Sequence, residues 1–161
     1  MIFVTVGTQF CFDSLIRAVE KAVESNLIEQ KILAQIGNTN YQPSNFNSMP
    51  KLSKEEFDYH VKQSQGIISH AGMGSITSAL ENNKPLLVMP RLKKYKEVVN
   101  DHQLYIAREY EKAGYLMAAY DQQEFFKKIV LLNSFKPRKR NADIQQVKIR
   151  INSFLDRIVQ V

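Results

Sequence analysis

The uninterrupted run Gly66-Ile-Ile-Ser69, His70-Ala-Gly-Met-Gly-Ser75, Ile76-Thr-Ser-Ala-Leu80 decides the fold. A short apolar stretch suited to a buried strand enters a glycine loop. Beyond it, Ile76, Ala79 and Leu80 fall on one side of a helix that ends near Asn83. The same strand–loop–helix order lies upstream. Ile2–Val6 is a β-rich run ending in Gly7-Thr8, and Phe12, Leu15, Ile16, Val19, Ala22 and Val23 keep helical spacing between Asp13 and Ser25. Lys31–Ile36 is a second apolar run, closed by Gly37-Asn38. Asn38 to Pro50 is rich in Asn, Ser and Pro and reads as irregular. Ser53-x-x-Glu56 is then a capping-box pattern for a helix reaching Gln65.

Downstream, Pro85-Leu-Leu-Val-Met-Pro90 predicts a buried strand, Arg91 to Val99 a basic loop, and Asp101 to Ala113 a helix stopped by Gly114. Tyr115–Ala119 predicts a further strand and Gln122 to Leu132 a helix. After a break at Lys136-Pro-Arg-Lys-Arg140, residues 141–161 predict a last helix with Ile144, Val147, Ile151, Phe154, Leu155 and Ile158 on one side. Apolar strands that are each followed by a helix predict an α/β fold, a Rossmann-like parallel sheet with helices on both faces. With no repeat, linker or low-complexity segment, residues 1–161 read as one domain.

Composition narrows the class. The 161 residues are 44% hydrophobic and 24% charged, which suits a globular core and argues against disorder. No stretch approaches the ~20 apolar residues that span a bilayer. The apolar run directly after Met1, without a basic segment before it, reads as a strand and not as a signal peptide. A single cysteine, Cys11, excludes an internal disulfide and a Cys-based zinc site, so the expected home is the cytoplasm. Lys plus Arg is 22 against 16 Asp plus Glu, a net +6 that favours anionic partners without choosing among them. A nucleic-acid binder would need clustered cations interleaved with aromatics, and Lys93, Lys94, Tyr95 and Lys96 supply one such patch only, so nucleic acid is not the expected partner.

In open parallel sheets ligands sit beyond the carboxyl ends of the strands, where loops enter helix N-termini. Gly7-Thr8 and the loop His70 to Ser75 occupy such places. Gly72, Met73, Gly74 and Ser75 would bring backbone N–H groups to a phosphate or diphosphate. The same glycines also suit a plain tight turn that needs φ > 0, and spacing alone leaves both readings open. The third glycine of a dinucleotide fingerprint is replaced by Thr77, and no Gly-Lys-Ser/Thr follows for a nucleotide-triphosphate loop. Asn100-Asp-His-Gln103 opens a helix with groups that either cap it or meet sugar hydroxyls. Three histidines without spaced carboxylates or Cys do not make a metal site, and no Asp-x-Asp is present to hold a cation.

Taken in order, Ile68 to Ile76, Ala79-Leu80, Lys84 to Pro90 and Asn100 to Gln103, together with Val4-Thr-Val-Gly-Thr8 and Phe12-Asp13, resemble the C-terminal domain of glycosyltransferase family 28. The resemblance runs from residue 2 to about 125. It extends to the small subunits of split glycosyltransferases, bacterial exopolysaccharide or capsule subunits and the eukaryotic dolichol-pathway N-acetylglucosaminyltransferase. It implies the C-terminal half of a GT-B enzyme, a nucleotide-sugar-binding domain that works without cofactor or metal. The implied donor is a UDP-sugar and the implied acceptor a lipid-linked saccharide. The implied partner is a membrane-anchored acceptor-binding subunit that holds this chain at the inner face of the membrane. The activity so implied is a UDP-sugar-dependent hexosyltransferase, active with its partner.

The resemblance gives Gly72, Gly74 and Ser75 the leaving diphosphate, with Gly7 and Thr8 bordering the cleft and His70 beside the diphosphate as a donor to it. His102 and Gln103 fall where relatives contact the donor sugar, with Asn100 at the same turn. Ser78 stands where many members carry a carboxylate for the ribose. No catalytic base stands out. The alternative is a nucleotide-sugar-binding module that regulates or escorts another protein without chemistry. Residues 141–161 either pack on their own sheet or dock on the partner, with Arg138, Lys139 and Arg140 toward anionic lipid in the second case.

Overall fold

The computed structural model describes residues 1–95 and 97–139; the helix expected over 141–161, Arg140 and Lys96 lie outside them. Six strands form one sheet: β1 (Ile2–Thr5), β2 (Ile32–Gln35), β3 (Asn47–Met49), β4 (Gly66–Ser69), β5 (Leu86–Val88) and β6 (Met117–Ala118). Every pairing is parallel and the order is β3-β2-β1-β4-β5-β6. This is the doubly wound order of the Rossmann-like α/β fold. The helices are α1 (Asp13–Glu24), α2 (Lys54–Gln63), α3 (Met73–Glu81), α4 (His102–Lys112) and α5 (Gln122–Ile129), with short 3-10 turns at Lys93–Tyr95 and Leu132–Ser134.

Strand alternation sorts the core into two layers. Ile2 and Val4 of β1, Ile68 of β4 and Leu87 of β5 pack with α1 and α5 through Leu15, Ile16, Val19, Phe125 and Ile129. Phe3, Ile67, Leu86 and Val88 point the other way, onto Val61, Ile76, Ala79, Ile106 and Ala107 of α2, α3 and α4. Successive residues of one strand thus feed opposite layers, which is why the strands read as continuous apolar runs. The capping box at Ser53 forms in both directions: Ser53 Oγ accepts from the Glu56 N–H at 3.1 Å, and Glu56 accepts from the Ser53 N–H at 2.8 Å.

One strand was not expected. Asn47–Met49 lies in the stretch read as irregular, yet it pairs with β2 through Leu33↔Asn47 and Gln35↔Met49. It is a polar edge strand with only its inner side covered, so no apolar run announces it. The connection before it is tied down by Glu20 of α1. That buried carboxylate accepts from Tyr41, from the Ser44 N–H at 2.6 Å and from the Asn45 N–H at 3.1 Å. These bonds hold it ionised, below the ordinary carboxylate pKa, against the opposing effect of burial.

Gly37, directly after β2, has φ +58, and a Cβ there would lie 2.4 Å from the Gly7 carbonyl oxygen. The turns that follow β1 and β2 are therefore in backbone contact. Gly37→Ala adds both the left-handed strain and a clash that no side-chain rotation relieves, so urea unfolding should show a loss of about 2 kcal/mol or more. An unchanged midpoint would show that the two turns can separate freely.

Candidate functional site

A cleft of about 630 Å³ opens at the carboxyl ends of β1 and β4. The two strands are neighbours, but α1 leaves to one face of the sheet and α3 to the other. The loops therefore diverge, and a gap remains between them. One wall is the turn after β1, Gly7 to Phe10. The opposite wall is the glycine loop and the start of α3, with His70, Gly72, Gly74, Ser75 and Ser78. The start of α2 closes one side with Leu52, Phe57, Lys54 and Asp58, and Arg91 and Gln103 complete the lining.

The glycines of the second loop are not there to reach φ > 0. The left-handed residue is Ala71, with φ +62, while Gly72 sits at φ −74. Ala71 keeps its methyl fully buried in the core beneath the loop. Gly72 instead makes room: a Cβ there would lie 2.3 Å from His70 Nε2. Gly7, at φ +74, faces the same ring from across the cleft, and a Cβ there would lie 3.1 Å from Cε1. Gly74 is different again, with nothing within 4 Å of its Cβ direction. It leaves open space above the first turn of α3.

That turn carries no side-chain cap, and its first helical bond runs from the Ile76 N–H to the Gly72 carbonyl. The N–H groups of Met73, Gly74 and Ser75 have no acceptor among the described residues. Unpaired donors and the positive end of the helix dipole together suit an anion of phosphate size.

His70 does not offer a proton to such an anion in the free chain. Its Nδ1 lies 3.3 Å from the Thr5 carbonyl, an acceptor, so Nδ1 carries the hydrogen. Burial, reinforced by the nearby Arg91 charge, pushes its pKa down to about 4. The ring is neutral at physiological pH and Nε2 is an acceptor. In the free chain His70 stands as a neutral ring between Gly7 and Gly72, with Nδ1 on the Thr5 carbonyl.

Of the residues expected at the site, Gly7, Thr8, His70, Gly72, Gly74, Ser75, Ser78 and Gln103 line one cleft. Met73, Asn100 and His102 are exposed and lie outside that lining. Asn100 accepts from the His102 N–H at 3.1 Å, a local turn at the start of α4. Gln103 is held by its carbonyl, which accepts from the Arg91 N–H at 3.1 Å and leaves its amide hydrogens for the cleft. Arg91 was not singled out beforehand. It is 2% exposed, and its side chain bonds the carbonyls of Val6, Phe10 and Cys11. Its position at the mouth of β5, where parallel-sheet ligands bind, was the available signal. Among the described residues no three His, Cys, Asp or Glu side chains gather to hold a metal.

The glycosyltransferase family 28 C-terminal domain matches residues 1–158 of the chain. A human protein named UDP-N-acetylglucosamine transferase subunit ALG13 is 33% identical over 124 residues, 71% of this chain and 10% of that protein. The chain thus spans about a tenth of the length of this relative. Among solved structures, the NMR structure of ALG13 superposes with a TM-score of 0.60 at 18% identity, covering 91% of this chain and 93% of the other. The calicheamicin glycosyltransferase CalG4 gives 0.59 at 14% identity, covering 83% of this chain and 34% of its own. At these identities the structures attest the fold alone.

His70 sets an acid sensitivity. Its folded pKa lies below the ordinary 6.5, so the unfolded chain binds the extra proton and stability is lost as pH falls from 6.5 toward 4. Urea unfolding should lose about 2 kcal/mol between pH 7.5 and pH 5. His70→Asn, which keeps a donor for the Thr5 carbonyl, should flatten that slope. An equal slope in both proteins would mean that His70 titrates normally.

Proposed function

The chain belongs to the glycosyltransferase family 28 C-terminal domain family, and on that premise we propose that it is the donor-binding subunit of a UDP-sugar-dependent hexosyltransferase. The observation that carries the proposal is the uncapped start of α3 beneath the open space at Gly74, facing the turn at Gly7 and Thr8 across one cleft. A nucleoside diphosphate fits that arrangement. Its phosphates meet the free N–H groups of Met73, Gly74 and Ser75. Its ring lies toward the apolar side chains of Leu52 and Phe57, and Ser78 is within the same lining for a ribose hydroxyl.

Sugar transfer breaks the bond between the anomeric carbon and the diphosphate, and the electron pair leaves with the phosphate oxygen. Donors already fixed around that oxygen favour the transition state more than the ground state, because the charge grows as the bond breaks. Gln103, held by the Arg91 N–H, presents its amide on the sugar side. The acceptor hydroxyl must lose a proton. In the cleft His70 is enclosed between two glycines, and Asp58 is paired with Lys54 at 2.6 Å. In this reading the base comes from the acceptor-binding half, a separate membrane-anchored partner. The human relative is itself named as a subunit, which supports a divided enzyme.

The finer setting follows the family resemblance: a lipid-linked saccharide acceptor, exopolysaccharide or capsule synthesis, and work at the cytoplasmic membrane face through the partner. Among the described residues no helix is long and apolar enough to cross a membrane. The non-catalytic escort module remains the competing reading, and activity that appears on adding the partner decides between them.

Calorimetric titration with UDP should show binding that is equal with and without Mg²⁺. Gly74→Asp places a carboxylate in the open space above the helix start and should weaken UDP at least about tenfold, a change worth 1.4 kcal/mol. Its fold should be unchanged, since no atom stands in its way. Unaltered affinity in that variant would remove the diphosphate from the glycine loop.

A further inference from the structure

Arg91 is a buried cation, 2% exposed, and among the described residues no carboxylate lies within ion-pair distance of it. The ion pairs among the described residues are Lys54–Asp58 and Lys128–Glu111. Its guanidinium is satisfied by neutral groups: Nη2 donates to Val6 O at 2.6 Å and Phe10 O at 2.7 Å, Nε donates to Cys11 O at 3.2 Å, and the Phe12 ring lies 4.8 Å away. Nη1 has no hydrogen-bond acceptor among the described residues, while the residue lines the cleft. A cation buried on carbonyls alone is expensive, and a neutral side chain could fill the same volume. Burial lowers its pKa to about 10, which still leaves it fully charged at neutral pH.

We propose that Arg91 is the positioning residue that supplies the positive charge for the diphosphate end of the donor and that, through its three carbonyl bonds, shapes the turn of residues 6–11 that faces it. The inference rests on the donor-site reading above and adds the cation that the reading lacked. His70 is neutral, and Lys54, the other cation of the lining, is an exposed side chain paired with Asp58 at 2.6 Å. The charge of Arg91 is felt where the ligand would lie, because the same charge helps hold His70 unprotonated. Glu97 opposes it: its charge reaches Arg91, although its own oxygens are occupied by Ser14 and by the Leu92 N–H. A diphosphate entering between the start of α3 and Arg91 meets two positive features from opposite walls. Both act in a partly desolvated cleft where charge is weakly screened.

The test compares UDP, inorganic pyrophosphate and uridine on the full chain by calorimetry. Arg91→Gln should weaken UDP and pyrophosphate by about twentyfold or more and leave uridine within about twofold. Arg91→Lys, which keeps the charge and loses the fork, should recover most of the loss. Glu97→Gln should tighten UDP by several-fold, a gain that misfolding cannot imitate. In Arg91→Gln the NMR titration of His70 should move up from about 4. Equal loss in the Lys and Gln variants, equal loss of uridine and UDP, or an unmoved His70 would reduce Arg91 to a loop clamp and overturn the proposal while the donor site stands. Failure of the folded wild-type chain to bind UDP or pyrophosphate would overturn both.

Discussion

The structure depends on β1 being hydrogen-bonded on both sides by parallel strands, β2 and β4, in the middle of the sheet. Parallel pairing forces a crossover between each pair of strands, and the change of direction at β1 sends those crossovers to opposite faces. Leu15 and Ile16 of α1 cover one layer while Ile76 and Ala79 of α3 cover the other. The loops above β1 and β4 have no common helix to close over them. The cleft is a consequence of strand order before any side chain is considered, and the local sequence then determines what it can hold.

What it can hold is set by a division of labour among small residues and one large cation. Gly72 leaves room for the His70 ring, Gly7 makes a left-handed turn beside the same ring, Ala71 makes the left-handed turn of the second loop, and Gly74 leaves space. Ser75 is buried, and its N–H has no acceptor among the described residues. Arg91 joins the mouth of β5 to the turn after β1 across some eighty positions of sequence, and its backbone N–H fixes Gln103 in turn. Burial first, and the charge of Arg91 second, keep the His70 ring unprotonated.

Much of this was legible in the sequence. The strand–loop–helix alternation shows in the apolar runs at Ile2, Lys31, Gly66 and Pro85, and the cleft wall shows in Gly7-Thr8 and in the loop from His70 to Ser75. What escaped has physical reasons. The strand at Asn47 is polar because its outer edge is unpaired, and the pairing that makes it a strand comes from β2. The glycine pattern could not tell a φ > 0 turn from a space requirement, since both select the same residue. The His70 tautomer depends on the Thr5 carbonyl, sixty-five positions away. Arg91 sat in a basic loop whose other cations, Lys93 and Lys94, face solvent, and only the fold separates the buried charge from the exposed ones.

The central claim is that a nucleoside diphosphate is held between the turn after β1 and the start of α3. Backbone amide shift mapping by NMR during titration with UDP reads it directly. The account predicts the largest changes at Gly7 to Phe10 and at Gly72 to Ser75, with a smaller response at Gln103. Changes centred instead on the opposite end of the sheet, where Ile28, Lys31 and Phe46 border a shallow hollow, would contradict it.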